Sequence, residues 1–173
     1  MQTNPIGKFF VIDGTDGSGK STQFKLLAER FQQEGFDVVT IKFPQYGKKS
    51  AGAIEEYLNS KYGQMNPYAC SILYAVDRFD ASFQIQEWLK EGKIVLADRY
   101  VLANAGHQGG KISDHGERKS YFDWLNHLEH TIFNIPKPDL NIILHIPSEI
   151  AQSLMDNRDT SSRTYISRKK HDI

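Results

Sequence analysis

Gly14, Gly19, Lys20 and Ser21 stand in the order G-x-x-x-x-G-K-[ST] close to the start of the chain. Such a loop curls round a chain of phosphates with its backbone N–H groups inward. The lysine reaches the outer phosphates, and the hydroxyl holds Mg²⁺. Glycine is required because a Cβ blocks close approach and forbids some loop dihedrals. The predicted phosphate-binding segment is therefore Gly14, Thr15, Asp16, Gly17, Ser18, Gly19, Lys20, Ser21 and Thr22. A second signal is "VLADRY", where Asp98 follows three apolar residues. A carboxylate there can hold Mg²⁺, directly or through water, across from Ser21, the alternative being a surface Asp–Arg pair at a loop start. The guanidinium of Arg99 is shaped for a phosphate.

Other residues suit a planar ligand. Tyr74 and Arg78 are four apart, so they share one helix face, where a ring stacks on a base and a guanidinium bonds its edge. An amphipathic helix with a packed Tyr and a solvated Arg is the alternative reading. Phe43, in "FPQY", either walls a pocket or belongs to the core. Asn104, His107 and Gln108 fall in what reads as a Gly-rich loop; amides read base edges because they both donate and accept, whereas a lone loop His is more often a solvated residue than a ligand. Arg158, Arg163, Arg168, Lys169 and Lys170 lie in a polar stretch without apolar periodicity. It reads either as a lid over about 156–173, bringing positive charge to a transferring phosphate, or as a solvated charge run.

These residues need elements to position them. "KFFVID" before the glycine loop reads as a strand, and "STQFKLLAERFQQEG" after it as a helix stopping at Gly35. Strand, loop, helix is the order the motif demands, and a helix N-terminus adds free N–H groups and partial positive charge. Further strands are expected in "DVVTIKF", "KIVLADRY" and "PDLNIILHI". Helices are expected in "AGAIEEYLNSKYG", from Asn66 and Pro67 to Gly92, in "ERKSYFDWLNHLEHTIF", and in "SEIAQSLMDNR". The alternation predicts an α/β fold with a central parallel sheet covered on both faces, one domain over residues 1–173. Ligands of such sheets bind at the carboxyl ends of the strands, here Asp13, Phe43, Asp98 and Ile146.

Composition bounds the partners. Lys+Arg and Asp+Glu are both 21 in 173 residues, which argues against a broad nucleic-acid or membrane footprint. Cys70 is the sole cysteine, which predicts no internal disulfide and a reducing, cytoplasmic setting. No secretory leader is expected where the glycine loop already occupies 14–21, and no apolar run approaches the roughly 20 residues of a bilayer span.

Taken in order, "FVIDGTDGSGKSTQ", "FPQY", "NPYACSILYAVDRFDAS", "VLADRY", "HQGGK" and "PDLNIILHIPSE" make the chain resemble the thymidylate kinases, nucleoside monophosphate kinases that phosphorylate dTMP with ATP. The resemblance covers nearly the whole chain. It implies a three-layer P-loop NTPase fold, ATP and Mg²⁺, and a homodimer. It implies that Asp16 serves the sugar 3′-OH or the acceptor, that Lys20 and Ser21 serve ATP and Mg²⁺, and that Phe43 and Tyr74 flank the thymine. Arg78 and Gln108 would bond the base edge, and Arg99 the acceptor phosphate, with Asp98 near the metal. Arg158 would pack on adenine, and Arg163 or Arg168 would supply lid charge. Asn104 and His107 complete the implied dTMP site. The chain departs from the family at Gln45, where relatives place a phosphate-binding Arg, at Gly17, where some carry an Arg, and at His107, where Tyr or Phe is usual. Relatives continue past the position of Ile173, so a fifth strand and a terminal helix are expected beyond these residues. Kinases for another nucleotide or nucleoside, and a nucleotide-binding homologue without turnover, are the alternative readings.

Overall fold

A computed structural model describes residues 6–156. Arg158, Arg163, Arg168 and the expected lid lie outside the described residues, apart from position 156.

Four strands form one sheet: β1 (Lys8–Gly14), β2 (Val38–Lys42), β3 (Ile94–Asp98) and β4 (Leu140–Leu144). Their order is β2-β3-β1-β4 and every pairing is parallel. Phe9 lies opposite Val95 and Val11 opposite Ala97, while Ile12 lies opposite Ile142 of β4. β1 is apolar on both faces because both are covered. Phe9, Val11, Val95 and Ala97 face Ala81, Ile85, Tyr121 and Leu125. Ile12 and Leu96 face Phe24 and Ala28 across the sheet. The result is the expected three-layer arrangement.

Local chemistry sets the helices. α1 (Lys20–Gln33) starts at Gly19, whose φ of 84° is left-handed, and buries Phe24 and Ala28. A short 3₁₀ turn leads into α2 (Gly52–Leu58). α3 (Pro67–Lys90) opens on Asn66, whose side chain accepts the N–H groups of Tyr68 and Ala69 at 2.8 and 3.1 Å. Pro67 fills a first-turn position where no N–H is needed. α5 (His115–His127) is capped by Asp114, which accepts Glu117 N–H at 2.8 Å. It widens into a π turn over Leu128–Ile132, and the chain leaves through Asn134 at φ 51°. α6 (Ser148–Asp156) follows β4.

One expectation is corrected. Asn104, His107 and Gln108 lie on a helix, α4 (Val101–Gly109), and not in a loop. Val101, Asn104 and Gln108 form its buried face. Gly109 serves packing: a Cβ there would meet Phe122 at 2.5 Å. Tertiary contacts override the weak helix propensity of glycine.

Candidate active site

The loop between β1 and α1 has a backbone few residues can adopt. Gly14, Gly17 and Gly19 turn through positive φ, at 144°, 82° and 84°. A Cβ on Gly14 would stand 2.4 Å from the Leu144 carbonyl oxygen and 3.0 Å from Ser18 Oγ. The loop therefore folds back onto β4 only with glycine there. Thr22 and Gln23 both donate their N–H to the Gly19 carbonyl at 3.0 Å, which starts the helix at the loop's end.

Three charges meet over this loop. Lys20 is 7% exposed; its Nζ donates to the Thr15 carbonyl at 2.8 Å and stands 3.5 Å from Asp16 Oδ1. Arg99 donates from Nη2 to Asp16 Oδ1. The left-handed φ of Arg99, 67°, is unusual for a non-glycine residue. Its N–H is held by the Ile12 carbonyl at 2.9 Å, so the strained backbone is tied to β1. Strain of this kind collects at functional sites.

The electrostatics follow from burial and these neighbours. Burial pushes the Asp16 carboxyl up, but Arg99 and Lys20 outweigh it and hold it below the usual carboxylate range. For Asp13 burial wins, and its carboxyl is raised despite the Gly14 N–H, Arg99 and Lys20. Burial and then Arg99 lower the Lys20 ammonium. Burial and then Arg99 also lower His107, which keeps its imidazole neutral near pH 7. Three buried atoms here have no hydrogen-bond partner among the described residues: Asp13 Oδ2, Ser18 Oγ and Arg99 Nε. Gln108 Oε1 is in the same position on α4. Orphaned donors and acceptors at the strand ends suit a polar ligand. Ser21 is exposed on the first turn of α1, and half-buried Asp98 ends β3 within electrostatic reach of Lys20. A hydroxyl and a carboxylate are hard oxygen donors of the kind Mg²⁺ prefers. Among the described residues no three His, Cys, Asp or Glu side chains group as a self-sufficient metal site.

The expected base-binding residues are distributed differently from a single open face. Tyr74 is half-buried, with Tyr46, Tyr57, Cys70 and Arg99 around it. Arg78 is not a solvated partner beside it. It is 2% exposed, and its Nε and Nη2 donate to the carboxylate of Glu129, which is 0% exposed. The π turn after α5 carries Glu129 inward to make this pair. Only Nη1 of Arg78 stays outside the clamp. Phe43 joins the core, packing on Tyr100 with ring centroids 5.5 Å apart. Asn104 Nδ2 donates to the Ser71 carbonyl at 3.2 Å. Gln45 is buried and bonded to Asp77 through its N–H and its side-chain amide, so it locks the turn after β2. Tyr46 and Asp77 were not singled out in the sequence. An aromatic after "FPQ" and an acid before Arg78 carry no spacing signal, and only the fold brings them together.

The family model described as thymidylate kinase matches residues 12–172. Thymidylate kinase from Mycobacterium tuberculosis is 33% identical over 143 residues, covering 81% of this chain and 66% of that protein. Its counterpart from Exiguobacterium is 34% identical over 160 residues, covering 91% and 72%. A solved thymidylate kinase from Candida albicans superposes with a TM-score of 0.67 at 26% identity, covering 90% of this chain and 79% of that one. The chain thus spans 66% of the length of the Mycobacterium relative, and 48% of a Pelotomaculum thermopropionicum relative.

Proposed function

We propose that this chain, which belongs to the thymidylate kinase family, transfers the terminal phosphoryl group of ATP to dTMP, giving dTDP and ADP. The single observation that carries the reading is the meeting of Lys20, Asp16 and Arg99 over the glycine loop. Phosphoryl transfer asks little covalent chemistry of a protein; it asks for positioning and for spread of charge. Two polyanions must approach, and cations must stand between them. Lys20, released from the Thr15 carbonyl, would bind the outer phosphates of ATP while the amides of residues 14–22 hold the rest. Arg99 would hold the acceptor phosphate. Asp16, kept ionised by its two cations, would orient the acceptor side through the sugar 3′-OH. Ser21 and Asp98 would hold Mg²⁺, which supplies charge neutralisation on the transferring group when bound.

On the acceptor side, Tyr74 would stack on the base. The free acceptor of Gln108 suits a ring N–H, and Arg78 would reach the base edge through Nη1 while Glu129 holds the rest of its guanidinium. Asn104 and His107 would line the same site, and Phe43 would support it from the core through Tyr100. Arg158 and Arg163, outside the described residues, are the proposed cations of a lid over about 156–173, within one domain spanning 1–173. A homodimer is supported by an exposed apolar stripe on α3, formed by Ile72, Val76, Phe79 and Phe83 at helical spacing. Among the described residues no helix is long and apolar enough to cross a membrane, and a cytoplasmic enzyme without nucleic-acid partners is our reading. Purified protein given ATP and Mg²⁺ with dTMP, dUMP, dGMP, CMP or thymidine tests this: dTMP must give the highest rate of ADP release.

A further inference from the structure

The turn after β2 is held from two sides by carboxylates. Asp77 on α3 is 1% exposed. Its Oδ2 accepts the Gln45 N–H at 2.8 Å, and its Oδ1 accepts Gln45 Nε2 at 3.3 Å and the Ser50 hydroxyl at 2.6 Å. Glu55 on α2 holds the other side, its Oε1 accepting the Gly47 N–H at 2.8 Å. One residue, Tyr46, lies between the two pinned amides.

The choice of acid at position 77 needs a reason. Its three donors come from one short segment, and among the described residues no cation pairs with it. An amide in its place would accept at one atom only and bring unwanted donors to the other. A carboxylate satisfies both the backbone and the side-chain donors, and charge-assisted bonds are the strong ones. The segment is thereby fixed in backbone as well as in side chains. Tyr46 itself is 49% exposed, and its phenol lies within electrostatic reach of Arg99 and Asp16. Burial raises its hydroxyl above the ordinary tyrosine value, so it stays protonated and able to donate.

We propose that Asp77 and Glu55 are positioning residues that act through Tyr46, aiming its hydroxyl at the acceptor's phosphate beside Arg99. This rests on the acceptor reading given above. Neither carboxylate touches substrate. Together they remove the slack on each side of Tyr46, and a misplaced contact near a reacting group is felt strongly in the kinetics.

The test uses the full chain with two probes, dTMP and inorganic phosphate, titrated calorimetrically, alongside steady-state KM values for dTMP and ATP. Asp77→Asn is expected to raise the dTMP KM by roughly 10- to 100-fold while the ATP KM stays within about twofold. Glu55→Gln acts at an exposed bond, leaves the buried network intact, and is expected to shift the dTMP KM in the same direction. In a Tyr46→Phe background Asp77→Asn should add nothing further, because the two act as one unit. Additive effects, equal loss of both substrates, or a normal dTMP KM in Glu55→Gln would overturn the proposal. Should Asp77→Asn fail to fold, Glu55→Gln alone decides between these outcomes. If wild-type protein binds phosphate but not dTMP, and both variants weaken phosphate, the substrate reading falls and the positioning role stands. If dTMP binds wild type and both variants equally, the positioning role falls and the substrate reading stands.

Discussion

Arg99 and Asp16 are joined across the mouth of the site, one from the end of β3 and the other from the loop after β1. The pair sits 83 residues apart in sequence and sets the geometry on which the proposed transfer depends. Asp16 also faces Lys20, so one carboxylate bridges the cation assigned to the donor and the cation assigned to the acceptor.

Removing either cation should stop turnover with the fold intact. Lys20→Ala and Arg99→Ala are each expected to lower kcat by at least about 10²- to 10³-fold, the usual loss when a preorganised charge partner is deleted. Circular dichroism should be unchanged. Arg99→Ala should also weaken dTMP, whereas Lys20→Ala should weaken ATP.

Gly14 tolerates no side chain. A Cβ would approach the Leu144 carbonyl oxygen at 2.4 Å, and the φ of 144° is itself disfavoured for an L-residue. Gly14→Ala is expected to lose about 1–3 kcal/mol, the range of strained backbone positions, and most ATP binding. Chemical denaturation and nucleotide titration measure the two losses separately.

Asp13 predicts a pH signature. Its carboxyl is raised above the ordinary 3.8 by burial, so the folded state binds this proton more tightly than the unfolded one. The stabilising contribution is therefore present below about pH 3.8 and lost as pH rises through the folded value. Asp13→Asn keeps the acceptor for the Gly14 N–H and removes the charge. It should raise the thermal midpoint at pH 7, with the gain shrinking toward acid pH. Asp16 runs the other way: its lowered carboxyl contributes above 3.8 and is lost in acid, weakly, because the side chain is 68% exposed and screened by solvent.

The Arg78–Glu129 pair separates stability from recognition. Glu129→Ala leaves a buried guanidinium uncompensated and is expected to cost about 3–5 kcal/mol. Arg78→Met with Glu129→Leu should restore most of that stability, while the dTMP KM stays raised. Thermal melting and dTMP kinetics on the same samples check both halves.

Much of this was legible in the sequence where local pattern sufficed. The glycine loop, α1 and the Asn66 cap declare themselves through residues next to one another. α4 did not, because Gly106, Gly109 and Gly110 look like a loop until Phe122 is seen against Gly109. Helical spacing leaves Arg78 either a ligand of a base edge beside Tyr74 or a solvated side chain, and says nothing of Glu129, 51 positions later on a π turn. Gln45 and Tyr46 were equally opaque, since the carboxylates that fix them come from α2 and α3. Non-local charge pairs and packing glycines are products of the fold, and no periodicity encodes them.

The central claim is that one loop and its cations bring ATP and dTMP together for direct transfer. ADP release by the purified protein with ATP and Mg²⁺, measured with and without dTMP, tests it most directly. The account predicts a rate that rises many-fold on adding dTMP, with dTDP formed in equal amount to ADP. An ATP-consumption rate indifferent to dTMP, or no consumption at all, would contradict it.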